Sequence, residues 1–354
     1  MTLQSSGEIS LKNIANEFGY TESNGTTTKL GSYRTTNGQG NFPVSFGALQ
    51  FNSIDATSGG SVPTGSSQIA FSDFYNTRLQ SVVNFYGSGR GGFRLVAKDR
   101  YNQGGSNDVQ TVGNYRQRPS NSSGTKVHIH VNQDIGSERF DPDHCALRTG
   151  SWNSNTTLQV DVGGSGRIIG AGGEGGNGNS GAGTGEAGQP GSSGLGVQYS
   201  PTQVNVASGG VISAGFGGGG GGGGAFDYDR KSSRFGSGGG GGGGAGLPVG
   251  EGGSGGSTGA GGGNGSDATS LSEAGEGGNG GNNDGEAVGG AGGEGGSPGD
   301  SADNGGNGSG GEGSSSSGGV AGVDGAAIRR NSGFTVNITN NGSIHGSTSA
   351  TNVQ

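Results

Sequence analysis

The first eighty residues carry apolar positions at spacings that predict a few short elements. One stretch has the i, i+3, i+4, i+7 spacing of an amphipathic helix, with Ser10 as its N-cap and Gly19 at its end, and its apolar residues are Leu11, Ile14, Ala15 and Phe18. Apolar residues between 42 and 51 predict short strands, and residues 72–76 predict a capped helical turn. We therefore expect a small α/β anchor domain over residues 1–80.

Residues 81–162 alternate apolar and polar side chains in the way that is typical of strands. Residues 127–131 read Val-His-Ile-His-Val, and Leu158, Val160 and Val162 repeat the alternation. The pattern predicts a β-rich middle domain, which we expect to be antiparallel and to lead directly into the segment that follows.

An internal repeat continues beyond this domain. Val160-x-Val162 is followed by Gly166-x-Ile168-x-Gly170, and the same spacing recurs from Val204 and from Val336. Each copy predicts a short strand, a turn and a second short strand. Three such units stacked together would form a β-platform at the end of the glycine-rich part of the chain.

A glycine tract extends from about residue 163 to residue 325. It contains two nearly pure runs, 217–224 and 238–244, surrounded by triplets in which two of every three residues are glycine. The period of three is that of the polyproline II helix. A flexible linker has no reason to keep that period, and the collagen pattern fails because the register breaks and prolines are few. We expect residues 163–354 to form a bundle of short polyglycine II helices, so the fold class is mainly β with polyglycine II.

Composition narrows the class of protein. Glycine accounts for 92 of 354 residues and hydrophobic residues for only 26%, enough for one modest core. The net charge of −8 argues against nucleic acid as a partner. Neither a signal peptide nor a membrane-spanning run is found, so we expect synthesis in a cytoplasm and no membrane insertion. Cys145 stands alone, which leaves no internal disulfide.

No constellation of residues predicts catalysis. Loose G-x-G-x-x-G matches occur throughout the tract, without the strand and helix that a nucleotide site needs. The carboxylates lie singly on solvated segments, and Asp141, Asp143 and Asp161 are the only weak candidates for a depolymerising enzyme. We expect neither enzymatic activity nor a cofactor.

One pair of residues could bind a metal ion. His128 and His130 lie two apart on a predicted strand, so both imidazoles should face the same side. In a symmetric trimer three such pairs would converge on the axis. A polar face of an exposed sheet is the alternative interpretation, and two ligands without further paired spacing favour it.

Short interruptions of the glycine tract are the candidate binding residues. The segment 226–235 concentrates aromatic and cationic residues between the two pure glycine runs, and they are Phe226, Tyr228, Arg230, Lys231, Arg234 and Phe235. Tyrosine and arginine supply contact area and directed donors in binding loops. Other interruptions centre on Tyr199, Leu247 and Leu271. Phe226 and Phe235 could instead pack at the end of the bundle.

Glycine triplets interrupted by short loops, after an N-terminal attachment region, resemble the tip adhesins of bacteriophage tail fibres. The residues that carry the resemblance run from about 163 to 346, beginning with Gly166-Arg167-Ile168-Ile169-Gly170-Ala171-Gly172-Gly173-Glu174-Gly175. Residues 9–19 and 69–75 are similar to N-terminal segments of other phage virion structural proteins. The resemblance implies a packed polyglycine II bundle whose distal loops recognise a bacterial receptor, either an outer-membrane protein or a polysaccharide.

The resemblance also implies partners and a location. Residues 1–80 would bind other phage tail proteins, and the adhesin would act on the virion as a monomeric cap or a homotrimer. Two alternatives remain open at this point. One is a structural virion component of the baseplate, collar or head that binds no receptor. The other is an ice-binding protein, although the irregular Glu, Asn, Ser and Asp residues of the triplets do not form a flat Ala/Thr face.

Overall fold

The computed structural model describes residues 3–18, 30, 44–46, 49–51, 62–63, 67–77, 80–85, 95–99, 109–112, 126–139, 141–229, 232–310 and 313–354. Helix α1 spans Leu11–Phe18, as predicted, and the Ser10 hydroxyl accepts a hydrogen bond from the N–H of Asn13 at 3.1 Å. A 3₁₀ helix spans Phe71–Phe74 in the predicted helical turn. Within these described residues no helix has the length and apolar character needed to cross a membrane.

Strands make up most of the regular structure. The first half of the chain contains β1 (Val44–Phe46), β2 (Leu49–Phe51), β3 (Gln80–Phe85), β4 (Leu95–Val96), β5 (Val109–Val112), β6 (Lys126–Val131), β7 (Asp134–Gly136), β8 (Cys145–Arg148), β9 (Thr157–Val162), β10 (Arg167–Ile169) and β11 (Ser193–Val197). The second half contains β12 (Thr202–Val206), β13 (Val211–Ser213), β14 (Ala225–Asp229), β15 (Ser232–Gly236), β16 (Asn282–Asn283), β17 (Ala287–Val288), β18 (Ser309–Gly310), β19 (Ser314–Ser315), β20 (Ile328–Arg330), β21 (Val336–Asn340), β22 (Ser343–His345) and β23 (Ala350–Thr351).

Three parallel sheets form a β-helix, in which the chain visits each sheet once per coil. The sheet orders are β21-β12-β9-β6-β3-β5, β22-β13-β10-β7 and β23-β20-β11-β8-β4. Strands β6, β7 and β8 make one coil, and β9, β10 and β11 make the next directly beside it. The expectation of an antiparallel middle domain is therefore wrong: β6 pairs in parallel with β3 and β9, and only the β3–β5 pair of this sheet is antiparallel.

One core runs along the inside of the β-helix. In the first sheet Ile129, Val160 and Val204 are neighbours in register and fully buried. Equivalent columns line the other two sheets, with Ile135, Ile168 and Ile212 in one and Leu147, Leu195 and Ile328 in the other. Stacking aliphatic side chains from successive coils removes them from water together, which stabilises the parallel arrangement.

The internal repeat corresponds to the strand–turn–strand unit of each coil. The first two copies stack as the sequence predicts, with Val160 beside Val204 and Ile168 beside Ile212. In the third copy Ile344 lies beside Ile212, but Ile338 rather than Val336 lies beside Val204. The turn of this copy contains residues 341–342 and is therefore two residues shorter than the 207–210 turn. The strand register is shifted by two residues as a result, and a shift by an even number keeps the same side chains facing the core.

Ten glycine-rich segments form a bundle that is inserted into two coils of the β-helix. They are 170–179, 183–192, 215–224, 237–245, 248–257, 260–268, 275–281, 289–296, 301–308 and 316–325. Backbone hydrogen bonds join neighbouring segments at every third residue, as in Gly173, Gly176 and Asn179, which donate to residues 216, 219 and 222 at 2.8–3.1 Å. Consecutive segments run antiparallel, whereas non-consecutive neighbours run either parallel, as 170–179 and 215–224 do, or antiparallel, as 170–179 and 237–245 do.

Two of these segments lie in the centre, and we call 215–224 and 237–245 the central segments. Each is joined by backbone hydrogen bonds to six others: 215–224 contacts 170–179, 183–192, 237–245, 289–296, 301–308 and 316–325, and 237–245 contacts 170–179, 215–224, 248–257, 260–268, 275–281 and 289–296. A side chain added to the first central segment at Gly219 would lie 2.1 Å from the carbonyl oxygen of Gly293. Six surrounding backbones leave no room for side chains, which explains why the two pure glycine runs fall here.

Side chains on the outside of the bundle accept hydrogen bonds from backbone N–H groups of the adjoining segment. Asn304 Oδ1 accepts from Ala321 at 2.8 Å and Asn307 Oδ1 from Gly318 at 3.0 Å. Asn177, Asn264 and Asp267 do the same for residues 254, 255 and 252. The polar third residue of these triplets therefore supplies an acceptor to a backbone donor that faces away from the other segments.

We expect Asn304→Ala to lower the free energy of unfolding by about 1 kcal/mol, because the N–H of Ala321 loses its protein acceptor. Thermal unfolding followed by calorimetry measures the effect. Asn279→Ala is the matched control, since Asn279 is also exposed on a glycine-rich segment but its side chain is not among these acceptors. Equal effects of the two substitutions would contradict a structural role for the Asn304 amide.

Ionic contacts fix the bundle to the β-helix. Arg139 follows β7, and its guanidinium contacts the carboxylates of Glu174 at 3.0 Å and Glu251 at 2.7 Å. It also donates to the carbonyl oxygen of Val249 at 2.8 Å. One arginine thus links two glycine-rich segments to the connection that follows β7.

Candidate functional site

The two ends of the bundle differ in what they carry. One end joins the β-helix, where 215–224 begins after β13 and 316–325 leads into β20. The opposite end, which we call the distal end, carries two small sheets of order β15-β14-β19 and β16-β17-β18. Segments that interrupt the glycine tract at separate places in the sequence therefore lie together on one exposed surface, and the hydrogen-bonded glycine-rich segments support it.

A β-hairpin made of β14 and β15 dominates the distal end. Phe226 lies opposite Phe235, with ring centroids 4.9 Å apart, and Tyr228 lies opposite Ser233. The Tyr228 ring centroid is 6.4 Å from that of Phe226. Both phenylalanines are half-buried, whereas Tyr228 is 61% exposed. The phenylalanine pair therefore packs at the base, as the alternative interpretation proposed, and Tyr228 is presented to solvent.

Close backbone contacts fix the base of this hairpin. An added Cβ at Gly313 would lie 1.8 Å from the carbonyl oxygen of Phe226, and one at Gly236 would lie 2.4 Å from that of Ala287. Gly259 has a φ of 68° and passes against Phe235, where a Cβ would lie 2.8 Å from the phenylalanine Cβ. The base of the hairpin is thus held by closely packed segments that tolerate only glycine. Because the hairpin is already ordered, little conformational entropy is lost when Tyr228 binds a ligand.

A second turn lies beside the hairpin and was not predicted from the sequence. Asp284 and Gly285, between β16 and β17, have φ values of 54° and 79°, as in a type I′ turn. The Arg234 guanidinium of β15 forms an ion pair with Glu286, so the hairpin contacts this turn through its side chain. The Asp-Gly dipeptide is the signal from which this turn could have been found.

The structure does not bring all the predicted binding residues together. Arg230 and Lys231 fall outside the described residues. Tyr199 lies in the β-helix between β11 and β12, where its ring packs against the core and its hydroxyl donates to the carbonyl oxygens of Asn153 at 3.1 Å and Thr156 at 2.9 Å. Tyr199 therefore already has a structural task.

Leu247 and Leu271 lie at the end of the bundle that faces the β-helix. The N–H of Leu247 donates to Gly170 at 2.9 Å, and its carbonyl oxygen accepts from Ser137 at 3.0 Å. Leu271 belongs to the turn after Ala268, whose N–H donates to Gly250. Neither residue forms one surface with the 225–236 hairpin.

His128 and His130 face the same side of β6, as predicted, with ring centroids 6.1 Å apart. His128 contacts the carboxylate of Asp161, which also accepts from Gln159 at 2.9 Å and from Asn205 at 2.6 Å. In the described part of the chain no group of three or more His, Cys, Asp or Glu residues is arranged to hold a metal ion. The two histidines therefore belong to a polar ladder on the outside of the sheet.

Burial lowers the pKa of His130 to about 4, and the neighbouring charge of His128 acts in the same direction while Asp161 opposes it. Since the folded state then binds fewer protons than the unfolded state, stability is lost as the pH falls from about 6.5 towards 4. The loss at pH 4 is roughly 3 kcal/mol. We expect His130→Gln to flatten this part of the stability profile in urea unfolding between pH 4 and 7. A parallel profile for both proteins would contradict the assignment.

The three aspartates considered for an enzyme have structural contacts. Asp143 pairs with the buried Arg329 at 2.7 Å, and Asp141 Oδ1 accepts from the N–H of Asp143 at 2.8 Å. Asp161 lies in the polar ladder of His128. All three carboxylates are thus engaged in contacts within the fold.

A rigid bundle that presents aromatic and polar turns at one end is the construction of a binding protein. The family model of phage tail fibre adhesins matches residues 95–349, which is most of the chain. The protein is therefore a receptor-recognising adhesin of a phage tail fibre. More specifically, the chain belongs to the phage tail fibre adhesin Gp38 family. Membership places it on the virion tail and indicates a binding role rather than an enzymatic one.

Other comparisons add little. A solved structure, the gp37–gp38 adhesin tip complex of the bacteriophage S16 long tail fibre, is similar to the chain at 19% sequence identity and a TM-score of 0.37. The similarity covers 81% of this chain and 89% of that one. At this level the likeness is weak, and the assignment rests on the family match. No curated protein sequence matches the chain.

Proposed function

We propose that the adhesin recognises a bacterial surface receptor with the distal end of its bundle, and that the 225–236 hairpin is the main contact. The single observation that carries this proposal is the exposure of Tyr228 at the tip of a hairpin whose base is fixed by glycine contacts. Phe226, Phe235 and Arg234 support the hairpin, while Arg230 and Lys231, which lie between β14 and β15 in the sequence, would add cationic contacts. The receptor would be an outer-membrane protein or a polysaccharide.

The glycine-rich segments are proposed to be polyglycine II helices. Hydrogen bonds at every third residue and six neighbours around each central segment support a lattice of three-fold helices. Such a lattice suits an adhesin because turns at its end can vary without changing the hydrogen bonds that hold it.

Attachment to the virion is proposed to involve residues 1–80 and another tail-fibre protein. The solved complex of another phage joins gp37 to gp38, and an adhesin of the same family would need a comparable partner. Residues 81–162 and 163–354 keep their proposed division into a β-rich domain and a glycine-rich bundle, although strands from both sides of residue 162 pair in the same sheets. Monomeric cap and homotrimer are both compatible with this proposal.

A competition assay tests the proposed site. Purified full-length protein should block phage adsorption to host cells, and a variant with residues 226–235 replaced by Gly and Ser should not. Thermal melting of the variant checks that its β-helix and bundle are folded. If both proteins block adsorption, recognition lies outside the hairpin; if neither blocks it, the protein acts as a structural component of the tail without receptor binding.

A further inference from the structure

Among the described residues, an antiparallel strand covers one end of the β-helix and no strand covers the other. In the largest sheet β5 pairs antiparallel with β3 and covers that edge. At the opposite edge β21 pairs with β12 and, among the described residues, with no further strand. Strands β22 and β23 are the last strands of the other two sheets on the same side. We call this final coil, formed by β21, β22 and β23, the open end.

Apolar side chains that would be buried elsewhere in the β-helix are accessible at the open end. Ile338 continues the column of Val160 and Val204, which are fully buried, yet it is 37% exposed. Val336 and Ile344 are only partly buried against the core. One further layer of apolar side chains would complete the core at this position.

The edge strand lacks the features that normally prevent pairing with another chain. Exposed edges usually carry lysines, prolines or bulges. Residues 331–354 contain no Lys, Arg, Asp, Glu or Pro, and Asn337, Thr339 and Asn340 of β21 are exposed. A neutral, unprotected edge of this length is expected to be covered in the assembled particle.

A second copy of the chain fits the open end poorly. In a two-fold symmetric dimer, the β21 strands of two copies would pair antiparallel. If that pairing were centred on Ile338, Val336 of each copy would lie opposite Asn340 of the other, so an apolar side chain would face a polar one in both pairs. Head-to-tail stacking would place β21 beside β5 of the other copy, and β5 runs antiparallel to its neighbour β3, so the parallel coils could not continue from one copy into the next. A different polypeptide is therefore favoured over a second copy as the partner.

We propose that the open end binds an extended strand from another tail-fibre polypeptide, which extends the sheet of β21 by backbone pairing. Its sequence would be uncharged and would carry aliphatic residues at alternate positions, to cover Val336 and Ile338. The proposal rests on membership in the adhesin family and adds a docking surface separate from the distal end. Residues 1–80 and the open end would then both contribute to attachment.

Charges placed on the edge test the proposal in the full-length protein. The double variant Asn337→Lys/Thr339→Lys should attach at least about tenfold less to phage particles grown without this protein, because lysines on an edge strand oppose pairing. Binding of the free variant to host cells and its melting temperature should match wild type. Ala187→Lys/Gln189→Lys, on an exposed side of the bundle, is the control and should attach normally.

Two further measurements distinguish a strand of another polypeptide from a second copy of the chain at the open end. Amide hydrogen exchange over residues 334–342 should slow when wild-type protein attaches to the particles, as expected for a newly paired strand. Normal attachment of the edge variant would overturn the proposal. So would a wild-type dimer in analytical ultracentrifugation that the edge variant fails to form, since the occupant would then be a second copy. Loss of host-cell binding with normal particle attachment would count against the distal site and not against the open end.

Discussion

Gly242→Ala is expected to lower the free energy of unfolding by about 3 kcal/mol or more, beyond the usual cost of an added methyl group in a core. Gly242 lies in the second central segment, donates to Gly293 and accepts from Gly219. An added Cβ would lie 1.8 Å from the carbonyl oxygen of Gly275 and 2.4 Å from its carbon. Backbone atoms cannot rotate away, so the segments must separate and lose hydrogen bonds along their length.

Gly261→Ala is the matched control for this substitution. Gly261 is exposed on the outer segment 260–268, and an added Cβ would approach nothing closer than the carbonyl oxygen of Gly256 at 3.5 Å. The control should be neutral or slightly stabilising, because alanine restricts the unfolded chain more than glycine does. Urea unfolding of both variants measures the difference, and similar stabilities would mean that the central segments are not packed as described.

Tyr228→Ser is expected to weaken binding to host cells at least about tenfold while leaving the melting temperature unchanged. The side chain is 61% exposed, so its removal costs the fold little, but a rigid aromatic group near the tip offers a large contact area to a receptor. The measurement is the apparent Kd of labelled protein for host cells. Phe226 and Phe235 remain in place in this variant, so the hairpin keeps its base.

Val320→Ser provides the comparison for Tyr228→Ser. Val320 is also highly exposed, at 63%, but it lies on the segment 316–325 along the side of the bundle. The Val320→Ser variant should bind host cells as tightly as the wild-type protein does. If Val320→Ser weakened binding and Tyr228→Ser did not, the receptor would contact the side of the bundle and not the distal hairpin.

The spacing of apolar residues and of glycines predicted those elements whose structure depends on local sequence. Helix α1 follows from four apolar residues and the Ser10 cap, and both were found. The pure glycine runs predicted close approach of neighbouring backbones, and residues 217–224 and 238–244 are indeed surrounded. In both cases the type of residue at each position indicates whether that position is buried or closely packed, so the prediction does not require the identity of distant partners.

Pairing between distant strands could not be predicted in the same way. Residues 127–131 alternate apolar and polar side chains, which is compatible with either direction of a neighbouring strand. Their partners lie in β3 and β9, and nothing local selects parallel pairing with both. The unit formed by β6 and β7 lacks the spacing of the internal repeat because its turn, residues 132–133, is two residues shorter than the 207–210 turn.

The candidate site was predicted in part. Aromatic residues between glycine runs indicated the hairpin, which the structure places at the distal end. The same reasoning grouped Tyr199, Leu247 and Leu271 with it, because an interruption of the glycine pattern does not reveal at which end of a segment it falls. Only the hydrogen-bond register, such as Ala268 to Gly250, shows that Leu271 faces the β-helix.

The most direct test of receptor recognition at the distal end is site-specific photo-crosslinking on intact host cells. A photoreactive phenylalanine analogue is placed at position 228 in one protein and at position 320 in another, and each is irradiated after binding. The account predicts a covalent adduct with a host envelope component from position 228 and none from position 320. Adducts from position 320 alone, with none from position 228, would contradict it.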